Sequence, residues 1–271
     1  MTMYDLTSIG RVFFAVALIG LAVEHYMFGE FVVGRAPKLS NLTWAYLSGA
    51  VFILAGIMVL AGKKGRIAAI FIGILIFVWA FLRHIPIVAA DSLLAPTWTA
   101  AGKALTLFGG ALAVAGTFPK VATDSDSILI RFVNQTGGFV LLGRICLGIF
   151  LVMTGIQHFL YTPFVASLIP TSFPGNAVFW TYFGGVALIA GGVGHFVPQT
   201  ARLAALLSGL MVFSWFWIIH IPRTLTSVSD GIAVFEALAV SGIAFTIAGS
   251  LYKQPGEPPL EEDQELNDAL D

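Results

Sequence analysis

The sequence predicts an all-α polytopic membrane protein with eight transmembrane helices arranged as two parallel four-helix repeats. Three observations carry this. Of 271 residues, 58% are hydrophobic and 11% charged, with a mean hydropathy of +0.90, whereas a soluble domain carries about 25% charged residues. The apolar residues lie in long runs, and a run of roughly 20 is what a bilayer core demands of one helix. The second half of the chain also repeats the first. A soluble enzyme is excluded, membrane lipid is the partner implied, and no nucleic acid is expected.

Eight runs are read at 8–28, 43–61, 66–89, 98–118, 139–161, 177–197, 202–222 and 231–252. The first contains Arg11 near its start and Glu24-His25 at its far end. A cleaved signal has a shorter apolar core followed by a small-residue site, so this run is read as a retained helix. The first repeat is 1–118 and the second 139–252, joined by a cytoplasmic linker at 119–138 that carries Asp124, Asp126 and Gly137-Gly138. Residues 253–271 hold seven acids and one base, against eight acids and thirteen bases in the rest of the chain. Such a segment is too charged to fold alone and is predicted to be a disordered tail. Cys146 is the single cysteine and lies inside a run, so no intrachain disulfide forms and it reads as a small core residue. Nine of the fourteen basic residues fall on the N-terminal side of the spans. The positive-inside rule then places both termini in the cytoplasm, in a multi-pass inner (plasma) membrane protein.

The repeat is explicit. At an offset of 136, Phe77, Trp79, His84, Ile85 and Pro86 recur as Phe213, Trp215, His220, Ile221 and Pro222. Trp44, Tyr46, Gly49, Arg66 and Gly73 recur as Trp180, Tyr182, Gly185, Arg202 and Gly209, and at an offset of 133 Arg11 and His25 recur as Arg144 and His158. Four spans per copy is an even number, so both copies enter the bilayer in the same direction.

Counted at about 1.5 Å per residue, His25, His84, His158 and His220 share one layer near the outer interface. Glu24, Arg83, Lys103, Gln157, Arg223 and Glu236 enter the same layer, and only His195 lies at the other end. Gly73, Phe77 and His84 fall on one helix face, as do Gly209, Phe213 and His220. Because a glycine admits a neighbouring helix, each half is expected to aim two histidines at its own interior. A histidine near a helix end is often only a hydrogen-bonding residue, whereas intramembrane ionisable groups tend to be functional. The copies have diverged: Glu24 corresponds to Gln157, Arg83 to Ile219 and Lys103 to Glu236. Glu24 is thus available to Arg83 or Lys103, and Glu236 to Arg223. A site could lie in either half or between them. Trp79, Phe81, Trp98, Trp180, Trp215 and Trp217 are expected to form an interfacial aromatic belt, although stacked aromatics beside a histidine would also hold a flat ring.

Arg144 near the start of its helix, Gly155-Ile156-Gln157-His158-Phe159 at its end, the stretch Trp180 to Gly192 and the opening Thr200-Ala201-Arg202 resemble the DoxX family of four-helix membrane proteins. Glu24-His25-Tyr26 and Arg66 hold the corresponding places in the first half, so the chain resembles two fused DoxX-like units. Kinship with the membrane subunit of a thiosulfate:quinone oxidoreductase implies membrane redox chemistry coupled to quinone.

Two functions follow as expectations. The first is a membrane redox component in which His25, His84, His158 and His220, with Glu24, Arg83, Lys103 and Glu236, hold a quinone or heme b at the outer leaflet. Bis-histidine ligation needs ligands at one depth on facing helices. The alternative is a non-catalytic assembly or scaffold subunit that meets other membrane subunits. A transporter is disfavoured, because no matching Gly/Pro-broken spans lie near the midplane.

Overall fold

The computed structural model describes residues 3–33, 42–91, 93–123, 125, 127–225, 227 and 230–252. The tail at 253–271, the linker acids Asp124 and Asp126, and the bases Arg35 and Lys38 lie outside the described residues. The helices are α1 (Met3–Phe28), α2 (Leu42–Ala61), α3 (Gly65–Ala89), α4 (Pro96–Gly116), α5 (Ile128–Val133), α6 (Gly137–Leu160), α7 (Thr162–Leu168), α8 (Ala177–Phe196) and α9 (Pro198–Trp215). A π-helical turn, Phe216–His220, carries α9 into α10 (Ile221–Thr224), and α11 (Gly231–Ser250) closes the series. No strand occurs among the described residues. Among the described residues eight helices, counting Pro198–Thr224 as one, are long and apolar enough to cross a bilayer. The chain is a multi-pass membrane protein of all-helical class, and the observed helices match the expected spans to within a few residues.

Hydrophobicity does not drive helices together in lipid, so close backbone approach must do it. Glycines show where. Helices pair as α1 with α2, α3 with α4, α6 with α8 and α9 with α11, but neither fourth helix closes mainly on its own half. Instead α4 runs along α6, and α11 runs along α1. A Cβ on Gly143 would meet the Gly109 carbonyl of α4, and a Cβ on Gly242 would meet the Gly10 carbonyl of α1. Gly10 and Gly143 are 133 residues apart, as are Gly109 and Gly242, so one pair of glycines makes both crossings. The first helix of each half thus pairs with the fourth helix of the other. Gly73 lies against Ala111 and the Phe108 carbonyl of α4, and Gly209 against Phe245 and Ala244 of α11, both at the expected close contacts. Gly143→Leu should therefore lower stability by about 1–3 kcal/mol or more through overpacking. Thermal unfolding in detergent measures this, and an unchanged midpoint would contradict the crossing.

Half-buried Arg11 and buried Arg66 secure the linker side. Arg11 donates from Nε to Thr117 Oγ1 at 2.8 Å and from Nη2 to the Thr117 carbonyl, and its guanidinium lies 4.3 Å from the Phe118 ring centre. Arg66 gathers carbonyls from both ends of the linker. Within that linker Ser127 caps α5, which the sequence reading left without structure.

Candidate functional site

A cavity of about 400 Å³ lies among α6, α7, α8, α9, the π-turn and α11 of the second half, with α4 of the first half closing one side. That size falls within the range of small-molecule sites, roughly 300–1,000 Å³. Most of its wall is apolar, including Phe150, Leu151, Leu188 and Met211. Its polar groups are few: Thr99, Lys103, Gln157, His158, Ser214, His220 and Glu236 among them. Phe164 of α7 and Phe183 of α8 line it and are also 61% and 57% exposed, so the cavity opens at the molecular surface.

α6 supplies two of the polar groups. Gln157 donates from Nε2 to the carbonyls of Leu94 (3.1 Å) and Ala95 (3.0 Å) and accepts from Thr99 Oγ1 at 2.7 Å, which ties it to the start of α4. Its counterpart Glu24 lies against Gly231, the first residue of α11, where a helix dipole favours a carboxylate. Each half's first helix therefore grips the start of the other half's fourth helix.

His158 Nδ1 sits 2.7 Å from the Thr154 carbonyl, and only an N–H can donate there, so the tautomer leaves Nε2 as an acceptor. Nε2 lies near Gly184 on the cavity wall. The ring stacks on Trp215 with centroids 6.1 Å apart and planes at 23°.

His220 ends the π-turn, in which the Ile221 N–H donates to the Phe216 carbonyl, one residue further back than in an α-helix. Single π-turns often mark functional sites. Pro222 does not by itself explain the turn, since Pro86 occupies the same place in the regular α3. Lys103 and Arg223 are both close enough to His220 to act on it electrostatically.

Lys103 of α4 and Glu236 of α11 form an ion pair at 2.6 Å on the cavity wall. Lys103 was expected to be available to Glu24, and Glu236 to Arg223; the observed pair instead joins the two counterparts of the repeat, because α4 and α11 touch at the junction of the halves. Arg223 bonds Asp230 at 3.0 Å.

The first half holds its histidines differently. His25 is fully buried, donates from Nδ1 to the Leu21 carbonyl at 2.6 Å and touches the rings of Phe31 and Phe52. The His84 ring is buried beside the Val33 backbone, and Arg83 donates to the Phe31 carbonyl. Phe31, Val32 and Val33, between 0% and 3% exposed, fill the space beside these groups.

Of the expected site residues, the cavity thus collects His158, His220, Lys103 and Glu236, while His25, His84, Glu24 and Arg83 serve the filled half. Trp180 and Trp215, expected in an interfacial belt, line the cavity as well. Trp44 and Trp217 are exposed, as belt residues are. Sequence reasoning missed α7 and Phe31. The Thr162-Pro163 start of α7 was a visible signal, since proline suits the first turn of a helix.

Fold and cavity together define a class: a helical multi-pass membrane protein with a mostly apolar cavity among its membrane-spanning helices. Residues 147–244 match a family described as a domain of unknown function (DUF8561). The match runs from α6 to α11 and takes in most of the cavity wall. No curated protein and no solved structure matches the chain.

Proposed function

We propose that the chain is a membrane redox component that binds a quinone ring in the second-half cavity, with other membrane subunits as its redox partners. The observation that carries this reading is the meeting of His158 and His220, each with a counterpart in the first half, on one mostly apolar wall beside Trp180 and Trp215. A quinone ring is flat and bears carbonyl acceptors, so it gains from aromatic stacking and from an imidazole N–H. The resemblance of Gly155 to Phe159 and Trp180 to Gly192 to DoxX-like proteins adds weight in the same direction. In this reading the halves are parallel repeats related by an axis along the membrane normal. Both termini are cytoplasmic in an inner (plasma) membrane, and the cavity faces the outer leaflet. Heme b fits the same two donors, but both imidazoles must then reach one iron, and the Trp215 stack on His158 favours the smaller ring.

The test is an absorption spectrum of purified protein, oxidised and reduced, together with benzoquinone binding followed by tryptophan fluorescence. We expect no Soret band and saturable quenching. His220→Ala should weaken binding about tenfold, the loss of one hydrogen bond, and Gly184→Phe should abolish it by filling the cavity. A Soret band lost in His220→Ala would assign heme instead. Absence of both heme and quinone binding would leave the scaffold role.

A further inference from the structure

The repeat pairs Trp79 with Trp215, His25 with His158 and His84 with His220. In the second half all three side chains line the cavity. In the first half Trp79 and His25 close around Phe31, and His84 lies beside Val33, two residues further along. The Phe31 ring stacks on Trp79, centroids 5.2 Å apart and planes at 26°. The same ring meets His25 edge-on, at 5.1 Å and 74°. Beside it the Phe31 carbonyl accepts a hydrogen bond from Arg83, whose guanidinium also lies 5.4 Å from the ring centre, and His84 is buried beside the Val33 backbone. Where one half has an open cavity, the other holds a planar ring with a hydrogen-bonded carbonyl next to it.

We propose that Phe31 to Val33 is a built-in occupant of a second copy of the site, and that it marks the pose of the ligand in the open copy. That pose is a planar ring stacked on Trp215, with an edge toward His158 and a carbonyl directed at His220. The inference rests on the reading of the open cavity as a ring-binding site.

Two differences between the halves support an occupant over an ordinary core residue. Phe31 comes from the loop after α1, not from a helix, and it is held by Arg83, which is itself 4% exposed. The counterpart of Arg83 is Ile219, so the clamp is present only in the half that has something to clamp. After α6 the chain takes the other course, because Thr162 and Pro163 start α7 and the segment covers the cavity without entering it. A ring taking the place of Phe31 in the open copy must part Trp215 from His158, which exchanges the existing stack for one with the ligand.

Equilibrium dialysis of the full chain in detergent against 2,3-dimethoxy-5-methyl-1,4-benzoquinone tests the proposal by stoichiometry. The wild type should bind one ring per chain and Phe31→Ala two, with Trp215→Ala weakening only the original site, by about tenfold. Arg83→Ile, which installs the residue of the open half, should also gain the second ring and serves if Phe31→Ala does not fold. Variants that fold yet bind no more than the wild type overturn the inference and leave the cavity reading standing. A wild type that binds nothing beside a Phe31→Ala that binds one ring supports the occupant and sinks the reading of the open cavity. No binding in any of them overturns both, and an unaffected original site in Trp215→Ala overturns the pose.

Discussion

Arg66→Met should unlock the junction between the halves and lower stability by about 3 kcal/mol, since the buried Phe118 carbonyl left without a donor costs about 1–3 kcal/mol and the part-buried bonds to Pro119, Val133 and Gln135 are lost with it. Arg66 is 3% exposed at the start of α3. Its Nε donates to the carbonyls of Phe118 (3.2 Å) and Pro119 (3.0 Å), and its Nη1 to those of Val133 (2.9 Å) and Gln135 (2.8 Å). Nη2 reaches the Phe118 carbonyl at 2.6 Å and Thr136 Oγ1 at 3.2 Å. One guanidinium therefore binds the exit from α4 and the entry to α6, fixing both ends of the linker. Native stabilities are about 5–15 kcal/mol, so the loss is a large share of the whole. Arg66→Lys should not rescue it, because an ammonium cannot present the planar fork. The counterpart Arg202 is exposed and lies 4.7 Å from the Tyr252 ring centre. Such a contact is worth about 1 kcal/mol or less, and Arg202→Met should cost correspondingly little. Thermal unfolding and limited proteolysis between 119 and 136 measure the difference, and equal effects at the two positions would refute the assignment.

The contrast between those two arginines shows what the sequence could tell. The repeat made Arg66 and Arg202 equivalent, and hydropathy alone located all eight spans, since a bilayer fixes length and polarity whatever the helices do next. The partner of each helix was hidden. Gly10, Gly109, Gly143 and Gly242 could have signalled close approach, but a glycine indicates that some backbone comes near without naming which one. The open half was hidden for a related reason. His25 and His158 occupy equivalent places at the ends of α1 and α6, and what separates them is the course of the loop that follows: inward at Phe31 in one case, outward into α7 in the other. The π-turn at Phe216–His220 was equally invisible, because Gly73 to His84 and Gly209 to His220 have the same spacing and only one of them widens. The divergence of Lys103 and Glu236 was legible, but its meaning depended on knowing that α4 meets α11.

Lys103→Met should cost about 3 kcal/mol, and the charge-swapped chain, Lys103→Glu with Glu236→Lys, should recover most of that loss. Glu236 is 5% exposed and its Oε2 lies 2.6 Å from Lys103 Nζ. Removing one member of a buried pair costs about 3–5 kcal/mol, because the remaining charge loses its partner without regaining water. The Lys103 side chain is 30% exposed, which sets the expectation at the low end. Lys103→Glu alone should be worse, since it sets two carboxylates face to face. The swap is expected to work because the positions are 133 residues apart, the spacing of the repeat, on helices that meet at the junction of the halves. Each position therefore offers similar surroundings to either charge. Two identical four-helix chains meeting in the same way would put like residues opposite one another, either two lysines or two glutamates. Joining them in one chain lets the two positions differ, and opposite charges turn a repulsive contact into a pair that holds the halves in register. A double-mutant cycle with Met at each position should give a coupling of about 2 kcal/mol or more. The double Met chain should be as stable as the wild type or more so, as replacement of a buried pair by apolar side chains often is. A coupling below about 0.5 kcal/mol, the value of an exposed pair, would mean that the junction is held by the glycine crossings alone.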